Sequence, residues 1–282
     1  MVLGQTPLDL HLKEIAMRTH IRLQKLEIKD WNGKGPGKRG KWGRIYRMEV
    51  ECEEAKIANI LIDDISKEKS WLKHYEVVPP SDGSDIEDGL RLYTDGSKQN
   101  GNSGYGAVLM RDDDICDETY GSQGQSATVF QAECQAIVRG LDLVTSTNEN
   151  LTILTDNQAV VLALLSPTTT SNTVKELKEA LENKSTHRVG KIQIRWIRAH
   201  VGHNGYEYAD KLAKQGTETL IYGPFPTVMQ SKPLIHAQIN DYITQIWQER
   251  WNARTDARQT AIFFPVINKG KSRELTNCQN TH

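Results

Sequence analysis

The chain has 282 residues, with 35 Lys/Arg against 36 Asp/Glu and a formal net charge of −1, which is enough for one or two domains and a sizeable core. That balance excludes a polycation acting by bulk charge, and no run of about 18 apolar residues implies a membrane span. The N-terminal residues lack the charged-then-apolar pattern of a secretion signal, and Cys52, Cys116, Cys134 and Cys278 show no CxxC spacing, so an intracellular, reducing compartment (cytoplasmic or nuclear) is expected, with no zinc module.

Thr6-Pro7-Leu8-Asp9 opens a first helix: Thr6 suits the N-cap, Pro7 the first helical position and Asp9 the positive helix end. Leu8, Leu12, Ile15, Ala16, Leu23 and Leu26 make an apolar stripe. Such a stripe needs a partner, which points to a preceding domain. Residues 29–47 then carry Lys29, Lys34, Lys38, Arg39, Lys41, Arg44 and Arg47 against Asp30, with five glycines and Trp31 and Trp42. This is either a phosphate-binding loop with stacking aromatics or a solvated basic linker. Residues 48–78 hold a strand or a helix around Ile57, Ile60, Leu61 and Ile65. The acidic, breaker-rich stretch from Pro79 to Asp88 is read as a boundary. The expected division is an N-terminal extension, 1–87, a central domain, 88–217, and a helical, basic C-terminal tail, 218–282.

From Leu90 the pattern is dense. Leu90, Leu92 and Thr94 alternate with Arg91, Tyr93 and Asp95, which predicts a strand ending in the turn Asp95-Gly96-Ser97. A turn at 101–104, a strand over 105–110, a turn at 111–114 and a strand over 115–120 predict an antiparallel meander. Helices are expected at 128–145, 157–165, 174–183 and 205–215, with strands at 151–156 and 191–199. Crossover helices make the first, fourth and fifth strands parallel. The fold class is therefore α/β: a mixed five-stranded sheet with helices on both faces and helical extensions at both ends. After Pro224, Pro226 and Pro233, a further helix carries Ile235, Ile239, Tyr242, Ile243, Ile246 and Trp247.

Four carboxylates stand out. Asp95 and Asp156 end neighbouring parallel strands, where open α/β sheets bind ligands. Alone, each has a plain structural reading, as a turn aspartate or a helix N-cap, although Asn157 would cap equally well. Glu133 enters the inward stripe of a helix whose Ala132, Ala136 and Gly140 permit close approach to the sheet. A carboxylate there is costly unless paired or bound to metal. Asp210, on the last helix of the domain, has a surface alternative in an i+4 pair with Lys214. Four such groups on one edge repel one another, and an oxygen-only site suits hard cations. Two Mg²⁺ ions held about 3.5–4 Å apart would serve phosphodiester hydrolysis.

Tyr93-Thr94-Asp95-Gly96-Ser97, Gln131-Ala132-Glu133-Cys134, Leu154-Thr155-Asp156-Asn157-Gln158 and the run from Trp196 through His200 and His203 to Tyr208-Ala209-Asp210-Lys211-Leu212-Ala213 resemble a type 1 ribonuclease H domain over roughly residues 88–217. The flanks, Gly4 to Leu12 and Trp251 to Pro265, are similar to segments around the ribonuclease H region of non-LTR retrotransposon polyproteins. The resemblance implies endonucleolytic cleavage of RNA in RNA–DNA hybrids with two Mg²⁺, Mn²⁺ being able to substitute. It also implies a fused or associated reverse transcriptase as partner. Asp95 would bridge the metals, while Glu133, Asp156 and Asp210 would complete their shells. His200, in a loop opened by Gly202 and Gly205, would assist proton transfer and product release, and imidazole titrates near neutrality. Gly96, Ser97 and Gln158 would touch the hybrid.

Two departures accompany the likeness. Val129 and Phe130 stand where some members carry asparagines that read the RNA 2′-hydroxyl, and Ser166 to Asn172 is uncharged where many carry a basic protrusion. Residues 90–216 have a net charge of −2, so hybrid affinity is expected to draw on the flanks or a fused polymerase. Two other readings remain: a catalytically idle connection domain that positions nucleic acid, and a DNA-cutting transposase or integrase of the same fold. The intact carboxylate set argues against the first, and the terminal His200 loop and helix against the second.

Overall fold

The computed structural model describes residues 6–25, 51–55, 57, 60–69, 73–80, 89–145, 148–198, 204–219, 228–254 and 266–267. The basic stretch 29–47, His200, His203 and most of the C-terminal tail lie outside the described residues. The chain divides into two compact units, one spanning Leu61–Ser231, the other formed by residues 1–60 with 232–282.

In the central unit, the elements in chain order are β1 (Glu68–Lys69), β2 (Glu76–Val77), β3 (Leu90–Gln99), β4 (Asn102–Arg111), β5 (Asp114–Gly124), α2 (Val129–Leu143), β6 (Leu151–Thr155), α3 (Gln158–Leu165), β7 (Thr168–Thr169), α4 (Asn172–Thr186), β8 (Ile192–Trp196) and α5 (Asn204–Glu218). The second unit carries α1 (Leu8–Lys25) and α6 (Lys232–Asn252).

The main sheet has six strands in the order β2-β8-β6-β3-β4-β5. The five expected strands are present, with β3, β6 and β8 parallel and β3, β4 and β5 an antiparallel meander. The sixth, β2, pairs parallel to β8 upstream of the boundary expected at 79–88. Two residues are too short to show any periodicity, so the sequence carried no signal for it. A second small sheet joins β1 to β7.

Both faces of the main sheet are covered. Leu92, Leu109, Leu151 and Ile153 pack with Ile137, Leu141, Leu177 and Leu181 of α2 and α4. Tyr93, Val108, Met110 and Leu154 pack with Tyr206, Ala209 and Leu212 of α5. The alternation along 90–94 thus feeds two cores, each fully buried Leu or Ile contributing roughly 1.5–3 kcal/mol.

Two local expectations are corrected. The β3–β4 turn is Asn100-Gly101, both at positive φ (49° and 85°), not 101–104. And β3 does not stop at Asp95: it pairs with β4 as far as Gln99↔Asn102. Only its parallel pairing with β6 ends there, at Thr94↔Thr155. The ten-residue antiparallel partner carries the strand through an Asp-Gly-Ser sequence that would otherwise turn.

Residues 61–69 strap the α3–α4 connection. The Ile65 amide donates to Thr170 O at 2.7 Å. The Asp63 carboxylate accepts from Thr173 N (3.0 Å), Thr173 Oγ1 (3.0 Å) and Ser171 Oγ (2.9 Å), capping α4 from outside its own sequence.

In the second unit α1 packs on α6. The buried face of α1 is Leu10, Met17 and Ile21; Leu8, Leu12 and Ile15 of the expected stripe are 73%, 57% and 47% exposed. The helix carries apolar residues on two faces, and α6 covers the one that the stripe omitted. On α6, Ile235, Ile239, Ile243, Trp247 and Trp251 form the buried i+4 row. No described helix is long and apolar enough to cross a membrane.

Candidate active site

The register of the parallel strands builds the site. Because Thr94 and Thr155 are the last paired residues of β3 and β6, Asp95 and Asp156 lie side by side one step beyond. The third carboxylate comes from α2, which Thr128 starts with a capping box: its hydroxyl accepts from Gln131 N, and Gln131 Oε1 accepts from Thr128 N. Two turns of apolar contact then lay α2 flat on β3. Gly96 makes the contact possible, since a Cβ there would stand 2.5 Å from the Glu133 amide nitrogen. Glu133 is thereby driven into the sheet edge.

Asp95, Glu133 and Asp156 each offer a carboxylate oxygen within 4.8 Å of the others. Asp95 is 5% exposed and Glu133 2%. Burial first, then the charges of Asp156 and Asp210, push the Asp95 carboxyl up to about 7. Burial and the charges of Asp95 and Asp156 hold Glu133 well above the usual carboxylate range. The partners of the cluster are neutral. Thr155 Oγ1 lies 3.4 Å from Glu133 Oε2, and the neighbouring Gly96 amide and Asn157 side chain pull the Glu133 carboxyl back down in part. Trp196 Nε1 donates to the Asp156 carbonyl at 2.8 Å. Three mutually repelling carboxylates of this kind, two buried and one half-buried, fit a hard divalent cation, which would relieve both the desolvation and the repulsion.

Asp210 is not gathered into this triad. It forms the i+4 pair with Lys214 at 2.5 Å, on a partly exposed surface, yet its charge still reaches Asp95. Gly96 and Ser97 continue β3 beyond Asp95. Gln158 opens α3, exposed, behind the N-cap Asn157, whose side chain accepts from Ala159 N. His200 falls outside the described residues.

One residue the sequence reading missed is Tyr206. Its hydroxyl donates to Asp156 Oδ2 at 2.5 Å and lies 3.4 Å from Asp95 Oδ1. Burial and the neighbouring carboxylates hold the phenol protonated. The available signal was its place four residues before Asp210, on the same face of one helix.

The fold and site define an α/β protein with a cluster of three carboxylates, two of them buried, at the edge of a mixed sheet. The chain belongs to the ribonuclease H family, an enzyme family of nucleases: the RNase H family model matches residues 87–218. It is 30% identical over 149 residues to "Ribonuclease H" of Pseudomonas fluorescens, covering 48% of this chain and 94% of that one. To "Ribonuclease H" of Bordetella bronchiseptica it is 33% identical over 152 residues, covering 49% and 92%. Among solved structures it is similar to RNase H1 of the halophilic archaeon Halobacterium salinarum NRC-1, with 21% identity, coverage of 46% and 97%, and a TM-score of 0.39.

Proposed function

We propose that this chain is an endonuclease that hydrolyses the RNA strand of RNA–DNA hybrids with two divalent cations, Mg²⁺ with Mn²⁺ able to substitute. The observation that carries this reading is the convergence of Asp95, Glu133 and Asp156 within 4.8 Å at a buried sheet edge of a ribonuclease H family chain. Asp95, Glu133 and Asp156 would hold the cations. When bound, the cations supply a polarised water and neutralise charge on the leaving oxygen. Asp210 would join this set of ligands on leaving Lys214. An exposed i+4 pair is worth only a few tenths of a kcal/mol, so it would offer little resistance to that exchange. His200 moves the proton to the leaving group, and Gly96, Ser97 and Gln158 contact the hybrid beside the cluster. The likeness of the flanks to retrotransposon polyprotein segments supports work beside a fused or associated reverse transcriptase.

The test is a gel assay with labelled hybrid, duplex DNA and single strands, in Mg²⁺ and in excess EDTA. Cleavage of the RNA strand of the hybrid, leaving a 3′-hydroxyl, is expected in Mg²⁺ alone. Cleavage that persists in EDTA overturns the cation mechanism. Cutting of duplex DNA in place of hybrid turns the reading to a transposase, and no cutting at all to an idle connection domain.

A further inference from the structure

Tyr206 occupies the first turn of α5, with its ring buried among Tyr93, Val108, Met110 and Leu154. Its hydroxyl leaves that apolar layer at the carboxylates, 2.5 Å from Asp156 Oδ2 and 3.4 Å from Asp95 Oδ1. A phenol has one proton, so it is given to the nearer oxygen. The contact length is that of a charge-assisted O–H to carboxylate bond.

The three clustered carboxylates are not held alike. Asp95 sits within a continuous strand that is paired with β4 before, at and after it. Glu133 is wedged against Gly96, is 2% exposed and has Thr155 Oγ1 3.4 Å from its Oε2. Asp156 follows β6 in a bend and is only half-buried. Its carbonyl is pinned by the Trp196 indole, but that leaves the terminal torsion of its side chain free, and for aspartate that torsion is broad. Among the described residues the Asp156 carboxylate is held by Tyr206.

We propose that Tyr206 is a positioning residue for the cation centre: its hydroxyl takes one oxygen of Asp156, turns the other toward Asp95 and Glu133, and ties the start of α5 to the carboxylate edge. This rests on reading Asp95, Glu133 and Asp156 as the metal ligands. Removing such an outer partner of a ligand usually costs about 10–100-fold in metal affinity or activity. It also joins two parts of the site: the helix that carries Asp210 is anchored to Asp156 by the same hydroxyl.

Tyr206→Phe keeps the buried ring and removes one oxygen. Mn²⁺ is titrated by calorimetry, without substrate, into the full chain as wild type, Tyr206→Phe and Asp95→Asn. Wild type is expected to bind, Asp95→Asn to lose binding, and Tyr206→Phe to bind with a dissociation constant about tenfold higher. In hybrid cleavage the Mn²⁺ needed for half-maximal rate should rise in step, with KM for hybrid unchanged and the rate largely restored at high Mn²⁺. Tyr206→Phe affinity equal to wild type, with a lower melting temperature only, makes the hydroxyl structural and overturns the proposal. Tighter binding overturns it in the other direction, because the hydroxyl would then compete with the cation. If wild type fails to bind, or Asp95→Asn binds as well as wild type, the metal-site reading falls first and the proposal with it.

Discussion

At the scale of single residues, Asp95 is a group whose place in the fold opposes its chemistry. Its carboxyl sits at about 7 against an ordinary value of 3.8. A folded pKa raised above the unfolded one means that the native state holds the proton more tightly. Between those values the unfolded chain has already released it, so stability falls as pH rises. The contribution is full below about pH 4, is lost through about pH 7, and is on the order of a few kcal/mol. Glu133 shifts the same way. In EDTA the wild-type melting temperature should therefore decline from about pH 5 to pH 8. Asp95→Asn should abolish cleavage, flatten that decline and gain about 1 kcal/mol of apo stability at neutral pH. Excess Mg²⁺ should raise the wild-type melting temperature and help the variant less, as expected of a cation that binds only the folded state through Asp95. Identical pH profiles for the two proteins in EDTA would mean that Asp95 carries no such strain.

At the scale of elements, the site depends on how closely α2 lies on β3. Gly96→Ala places a Cβ 2.5 Å from the Glu133 nitrogen and 2.9 Å from the Ala132 carbonyl carbon. Those are backbone atoms of a packed helix and cannot swing aside. The variant is expected to lose about 1–3 kcal/mol and to weaken Mn²⁺ binding together, because the shift that relieves the clash also moves Glu133. Thermal melts and calorimetry on the same sample check both; a destabilised protein with unchanged Mn²⁺ affinity would separate the glycine from the site. The cap that Asp63 provides offers the contrast. Asp63→Ala leaves the first turn of α4 without its carboxylate acceptor, at a cost of about 1–2 kcal/mol. It should leave Mn²⁺ affinity untouched, since Asp63 is not one of the clustered carboxylates.

For the whole molecule, charge distribution is the governing quantity. The span 90–216 has a net charge of −2, while 29–47 and 250–273 carry +6 and +5. At the start of the second tract, Trp251 is buried, as is Trp247 just before it, and Arg250 pairs with Asp9. Each phosphate contact contributes roughly −0.9 to the log–log salt slope on B-form duplex. The central unit, residues 61–231, should bind hybrid more weakly than the full chain and with a shallower slope. Salt titrations of binding by both proteins check this, and equal slopes would reduce the flanks to linkers.

Much of this was legible before the fold was known, and the reason is periodicity. Alternation over 90–94, the helical stripe around Glu133, and the placement of Asp156 at a strand end depend on residues close together in the chain. So does the helix that begins near Gly205, which fixes the face that Asp210 shares with Tyr206. The parallel order of β3, β6 and β8 followed from the crossover helices, and with it the pairing of Asp95 with Asp156. What stayed hidden depended on surfaces meeting across the chain. The pull of Asp95-Gly96-Ser97 toward a turn lost to a partner strand that pairs through it. The buried face of α1 was chosen by α6, more than two hundred residues away. Strand β2, the Asp63 cap and the Tyr206 hydroxyl each join segments whose contact leaves no repeating pattern in either one. Local energies set which elements form, because neighbouring residues supply them. The partners that complete those elements, and the oxygen that orients Asp156, are set by packing, which no single segment encodes.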